Sequence, residues 1–187
     1  MNQRNILAAL TLVPVLLAGA ACAAKRLPPI RAEVASTDPS PQAIPRRVKR
    51  LHELPDFTLT DLEGKALTAA ELRGKVVLLD FWETWCIPCR YQTRILEGIW
   101  PDYKGSDVRF MAVDVSEDLE TVRRFVTEHP FAYPVVRDAN QTLSNQLGIV
   151  GLPTLVIVDR NGRIVLQKTG LSSADSIKET IAKALKE

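Results

Sequence analysis

The chain lacks an excess of either charge sign: 24 Lys and Arg face 22 Asp and Glu over 187 residues, for a formal net charge of +2. That balance excludes the basic footprint of a nucleic-acid-binding protein, and there is no acidic tail. Metal-ligating residues are scarce, with three Cys and two His. Structural zinc needs four ligands. Cys22 lies in an amino-terminal leader, so only Cys86, Cys89, His52 and His129 remain, and the histidines have no ligand-like spacing. Both read as surface or loop residues, and neither a metal site nor a cofactor is expected. Sulfur-based copper binding would need further ligands that the sequence does not display. There is no internal repeat. A hydrophobic fraction of 46% with 25% charged residues suits one globular domain with appendages.

The leader is residues 1–24. One positive charge, Arg4, precedes an uncharged run from Asn5 to Ala24 that ends in small residues, which is the pattern of an export signal. Three fates are open: cleavage after an A-x-A-like site such as Ala21-Cys22-Ala23, retention as a membrane anchor, or lipidation of Cys22. "AGAAC" resembles a bacterial lipoprotein box but has Gly19 where leucine is usual. Residues 25–50 hold five prolines and no glycine or aromatic residue, too little apolar surface to fold. They read as a disordered tether, reaching about 30 Å as a coil and roughly 80 Å as polyproline. Lys25, Arg26, Arg31, Arg46, Arg47, Lys49 and Arg50 lie here against Glu33 and Asp38, which leaves the rest of the chain near neutral or slightly acidic. The folded domain is expected at 51–187.

Within it, "FTLTDLEGKALT" alternates about Glu63-Gly64, a hairpin pattern. Thr68 and Glu71 form a capping box for a short helical turn closed by Gly74. "VVLLDF" (76–81) and "VRFMAVDV" (108–115) are continuous apolar runs, as in strands buried on both faces. Between them Ile95, Leu96, Ile99 and Trp100 fall at helical spacing up to Pro101. A second helix is predicted from Ser116 to Pro130, with Leu119, Val122, Phe125 and Val126 on one face. A short strand at "YPVV", a short helix near 140–147, a hairpin about Asn161-Gly162 and a helix carrying Ile177, Ile181 and Leu185 complete the order. The pattern predicts an α/β domain whose mixed central sheet, flanked by helices, is parallel in the middle and antiparallel at one edge.

The chemistry lies in "DFWETWCIPCR" (80–90). As a staple the Cys86/Cys89 pair would be weak: closing a four-residue loop removes only about 2 kcal/mol of unfolded-state entropy, against roughly 3 for fifteen residues. As a switch it is well placed. The pair sits between a buried strand and a helix, where the unpaired N–H groups and positive dipole end of the helix stabilise a thiolate.

This run resembles the active-site segment of the thioredoxin superfamily, and residues 51–187 resemble its exported TlpA/ResA-like thiol–disulfide oxidoreductases. The shared features are an amino-terminal β-hairpin, W-x-T-W-C-x-P-C after the first sheet strand, an inserted helix-and-strand segment (116–147), and "GLPTLVIVD" as the cis-proline strand. The resemblance implies a thioredoxin fold with a cis Leu152–Pro153 bond beside the cysteines. It implies Cys86 as the attacking thiolate, on the exposed side, Cys89 as the resolving thiol, and a redox-active disulfide between them. Asp80 matches the buried acid that exchanges a proton with Cys89, with local hydrogen bonding as the alternative role. Pro153 would present backbone groups to a client chain, and Trp82, Trp85, Ile87, Pro88 and Leu152 would form the docking surface, although core packing explains Trp82 equally well.

The chain departs from this pattern in several places. The neighbouring strand offers Arg109 and no lysine as a partner for Asp80. Gln92 and Arg94 stand where relatives have an acid and a proline. Glu83 replaces a small residue. Either it limits thiolate stabilisation together with Ile87, giving a more reducing pair, or it is a solvated loop charge. The implied clients are disulfide-bearing proteins of cytochrome c maturation or copper-centre assembly, in the periplasm or another extracytoplasmic space. The implied electron donor is a membrane carrier of the DsbD or CcdA kind. A disulfide oxidase or isomerase and a copper-binding assembly factor are the alternatives. A peroxidase fits less well, because a tryptophan-flanked C-x-x-C differs from an isolated peroxidatic cysteine.

Overall fold

The alternation of strand-forming and helix-forming runs is preserved in the fold. The computed structural model describes residues 53–187. The leader, the Pro-rich segment, Cys22, His52 and the domain boundary at 51 lie outside the described residues. In chain order the elements are β1 (Thr58–Asp61), β2 (Ala66–Thr68), a 3-10 turn (Ala69–Leu72), β3 (Val76–Trp82), α1 (Ile87–Ile99), a 3-10 turn (Trp100–Asp102), β4 (Val108–Asp114), α2 (Leu119–Glu128), β5 (Val135–Arg137), α3 (Thr142–Leu147), β6 (Thr154–Val158), β7 (Ile164–Thr169) and α4 (Ala174–Ala184).

The strands form one seven-stranded sheet in the order β2-β1-β5-β4-β3-β6-β7. β3, β4 and β5 run parallel. β6 is antiparallel to β3, and β1 is antiparallel to β5. The expectation of antiparallel pairing at one edge is therefore corrected to both edges. The amino-terminal hairpin covers the free edge of the short strand β5, with Thr60 opposite Arg137 and Asp61 opposite Val136. A bare edge is a template for unwanted pairing, and the hairpin removes it.

β3 is buried along its whole length because both its faces are covered. Val76, Leu78 and Trp82 join Leu96 and Ile99 of α1 and Ile177 and Ile181 of α4 in one cluster. Val77, Leu79 and Phe81 join Phe57, Leu59, Leu143 and Leu147 in the other. The period-two alternation of a strand divides a single apolar run between two cores.

Local chemistry sets the element ends. Glu71 accepts the Thr68 N–H at 2.7 Å, completing the expected capping box. α2 is capped by Asp118, which accepts the Thr121 N–H at 2.9 Å, rather than by Ser116, whose hydroxyl is engaged with Glu83. α1 ends at Ile99, and Pro101 falls in the 3-10 turn beyond it. With Arg94 in place of a proline, α1 is a single unbroken helix. At the β6–β7 turn Gly162 has φ +85°, a conformation that costs glycine little.

Candidate active site

The chain leaves β3 at Trp82, turns through Glu83, Thr84 and Trp85, and enters α1 at Ile87. Cys86 is the N-cap of α1: its Sγ accepts the Cys89 N–H at 3.2 Å. Sulfur thus takes the place usually held by a Ser or Asp oxygen. Pro88 sits in the first turn, where its missing N–H would have had no partner inside the helix. Cys89 follows within that turn, and the two sulfurs are bonded.

Cys86 is only 3% exposed and Cys89 1%. The expectation of an exposed Cys86 is therefore corrected: in the bonded form it lies in the cluster with Trp82 and Leu96, against which Leu152 packs. What is exposed is the rim: Trp85 at 67%, Ile87 at 55%, and Pro88. Trp82 belongs to the core instead, its ring 5.3 Å from Phe125 and 4.8 Å from Phe131. It is removed from the expected docking surface.

Asp80 lies on β3 on the same face as Leu78 and Trp82, with no exposed surface. Burial pushes its carboxyl up to about 8, offset in part by the Tyr133 hydroxyl 3.5 Å from Oδ2. Its Oδ1 has no hydrogen-bond partner among the described residues. Ala112 is the residue opposite Asp80 on β4. Arg109 is opposite Val77, and its guanidinium donates to the carbonyls of Ser106 at 2.6 Å and Val108 at 3.2 Å, turned away from the acid. Tyr133 therefore occupies the place where a cation was sought. Its own phenol is pushed well up, first by burial and then by the Asp80 charge.

The Leu152–Pro153 bond is cis. It precedes β6, whose Thr154 pairs opposite Phe81, so the loop lies beside the carboxyl end of β3. Leu152 packs against the cluster that contains Cys86 and Cys89. The Pro153 carbonyl accepts the Gly170 N–H at 2.8 Å.

Glu83 is 6% exposed, which excludes the solvated-charge reading. Its carbonyl accepts the Cys86 N–H at 3.1 Å, and its carboxylate accepts the Ser116 hydroxyl. Two acidic neighbours of the site escaped sequence reasoning. Asp114, at the end of β4, is pushed up to about 8 by burial and by the nearby acids Glu117 and Glu83; Arg137 Nε, 4.0 Å away, is too far to hydrogen bond. Glu117 accepts the Thr84 N–H and hydroxyl, each at 2.6 Å. Gln92, fully buried, accepts the Ser172 N–H at 2.7 Å and donates to the Ser172 carbonyl at 3.5 Å. Asp114 closes the run that reads as a strand and Glu117 falls in the acidic run that reads as a helix start, and no spacing rule singles them out. Gln92 was visible as a departure, without its partner. Among the described residues no group of three or more His, Cys, Asp or Glu is placed to hold a metal ion. None of the described helices is long and apolar enough to cross a membrane.

A parallel-centred mixed sheet with a bonded C-x-x-C pair at a helix start and a cis-proline loop beside it defines the class: thiol–disulfide oxidoreductase with a thioredoxin fold. Residues 51–167 match the AhpC/TSA family. The chain is 34% identical over 131 residues to the thiol-disulfide oxidoreductase ResA of Bacillus thuringiensis (strain Al Hakam), covering 70% of this chain and 76% of that protein. It is 35% identical over 125 residues to the ResA of Geobacillus thermodenitrificans, covering 67% and 72%. A Chlorobium tepidum structure described as a thiol:disulfide interchange protein DsbE superposes with TM-score 0.65 at 30% identity, covering 71% of this chain and 95% of that one. The chain belongs to the AhpC/TSA family within the thioredoxin superfamily, as a thiol–disulfide oxidoreductase of the ResA/DsbE type.

Proposed function

We propose that the chain is an exported disulfide reductase in which Cys86 attacks and Cys89 resolves. The observation that carries this reading is Cys86 as the sulfur N-cap of α1, with the Cys89 N–H directed at it. That N–H and the helix end stabilise a thiolate once the bond is reduced. The Cys86 thiolate then attacks one sulfur of a client disulfide, forming a mixed disulfide and releasing the client's other sulfur as a thiolate that takes up a proton. Cys89, deprotonated by the fraction of Asp80 that is ionised, attacks the Cys86 sulfur and releases the second client thiolate. The client gains two electrons and the pair is left oxidised.

Trp85, Ile87, Pro88 and Leu152 form the docking rim. A client strand would pair with the backbone at the cis Leu152–Pro153 bond. The clients are disulfide-bearing proteins, of the cytochrome c maturation or copper-centre assembly kind. A membrane thiol-electron carrier of the DsbD or CcdA kind returns the electrons. Residues 1–24 direct export or anchoring, with Cys22 as a lipidation point in the anchored form, and residues 25–50 are the tether that holds the domain in an extracytoplasmic space. The reducing direction over an oxidase or isomerase is supported by Glu83, a buried acid directly behind the helix start whose charge would oppose thiolate stabilisation at Cys86.

Trapping tests the assignment. Cys89→Ser in the cell should accumulate mixed disulfides through Cys86, seen as adducts that collapse on treatment with reductant. Their absence in a cell containing reducible clients, or their persistence in Cys86→Ser, refutes it.

A further inference from the structure

Thr84 stands two positions before Cys86, and all three of its polar groups are held. The Glu117 carboxylate accepts its N–H at 2.6 Å through one oxygen and its hydroxyl at 2.6 Å through the other. The Arg90 guanidinium, from α1, donates to its carbonyl at 3.0 Å. Glu117 is fixed in turn. Its N–H donates to Asp114 Oδ1 at 3.1 Å, and the Arg137 guanidinium donates to its carbonyl at 2.6 Å. One residue earlier, the Ser116 hydroxyl donates to the Glu83 carboxylate. The segment 83–84 is thus tied to 114–117, to β5 and to α1 by polar contacts. Trp85, next along, is 67% exposed, so apolar packing does little to place it. Cys86 hangs from the same segment through its N–H to the Glu83 carbonyl.

We propose that Glu117 is a positioning residue for the exchange reaction: by holding Thr84 it sets where the Cys86 sulfur and the Trp85 indole meet a client disulfide. Glu117 is the second residue of the inserted helix-and-strand segment, so this is a contact through which the insert reaches the dithiol loop, beside that of Ser116 with Glu83. A carboxylate suits the task because it offers two acceptors and no donor to two donors on one residue. A carboxamide would oppose an N–H to one of them, and an aspartate would be one methylene short of reaching both. The inference rests on Cys86 being the attacking sulfur, as proposed above.

The test is a double-mutant cycle on the full chain, reduced and assayed for exchange with a synthetic peptide carrying one disulfide. Glu117→Gln, Glu117→Asp and Thr84→Val should each lower kcat/KM about tenfold, mainly in kcat, since small misplacements of a reacting group cost rate steeply. The Glu117→Gln/Thr84→Val double variant should be no slower than either single one, because both break the same clamp. Thr84→Ser, which keeps the hydroxyl, should stay within about twofold of wild type. The inference is overturned if Glu117→Asp matches wild type, if the losses multiply in the double variant, or if rates hold while only the melting temperature falls. Should Glu117→Gln fail to fold, the same cycle run with Glu117→Asp decides. A wild type without exchange activity sinks the functional reading; an active wild type with indifferent Glu117 variants sinks this inference alone.

Discussion

Asp80 and Glu83 lie on either side of the end of β3 and make opposite demands on their surroundings. Asp80 has only the Tyr133 hydroxyl for a partner and is held protonated up to about pH 8 by burial. Replacing it with Asn removes a group that must be desolvated when ionised. Asp80→Asn should therefore melt higher at pH 9, by on the order of a few kcal/mol of stability, with the gain vanishing below about pH 4. The same change should slow release of the mixed disulfide, by about tenfold to a hundredfold, because Cys89 loses its proton acceptor. Thermal melts across pH and single-turnover exchange separate the two effects, and an unchanged release rate would remove Asp80 from the mechanism. Glu83 is buried yet satisfied by Ser116. Its charge behind the helix start works against the Cys86 thiolate, so Glu83→Gln should make the pair more oxidising, by about 30 mV for each 1.4 kcal/mol of repulsion relieved. Equilibration against glutathione measures the shift, and a more reducing value contradicts the assignment.

At the scale of an element, α1 carries both the dithiol at its start and the anchor that holds that start in place. Gln92, one turn beyond Cys89, both accepts from and donates to the Ser172 backbone in the loop before α4. An acid at this position can accept from the Ser172 N–H but when ionised cannot donate to its carbonyl. Gln92→Glu should destabilise the fold by about 1–3 kcal/mol and more as pH rises, since the carboxylate would be buried against a carbonyl oxygen. Urea unfolding at pH 5 and pH 8 checks this, and equal loss at both values would mean the carboxyl ionises as readily in the folded state as in the unfolded chain. The hairpin β1–β2 shows the opposite case. Its turn was legible in "DLEG", but its docking on β5 was not, because strand pairing across the length of the domain leaves no local pattern.

Over the whole molecule, the two carboxyls that burial pushes to about 8 set the pH profile. Asp80 and Asp114 are both pushed to about 8, while in the unfolded chain they titrate near 4. Between those values the folded state holds protons that the unfolded state has released. Stability should therefore fall as pH rises from about 4 to about 8 and level off above, a trend of several kcal/mol that denaturation over the range would reveal. Stability rising with pH over that window would show that other groups dominate.

The order of strands and helices, the capping box at Thr68 and Glu71, the turn at Asn161-Gly162, and the Cys86/Cys89 pair at a helix start all followed from the sequence alone. Each depends on residues within a few positions of one another, where periodicity, turn chemistry and caps act directly. Only the tertiary structure decided that Tyr133 rather than Arg109 meets Asp80, that Glu83 is buried, that Gln92 grips Ser172, and that Glu117 holds Thr84. Those contacts join residues 33 to 80 positions apart or turn on strand register and burial. Local sequence carries no record of such distances, because they are set when the sheet closes and two cores fill.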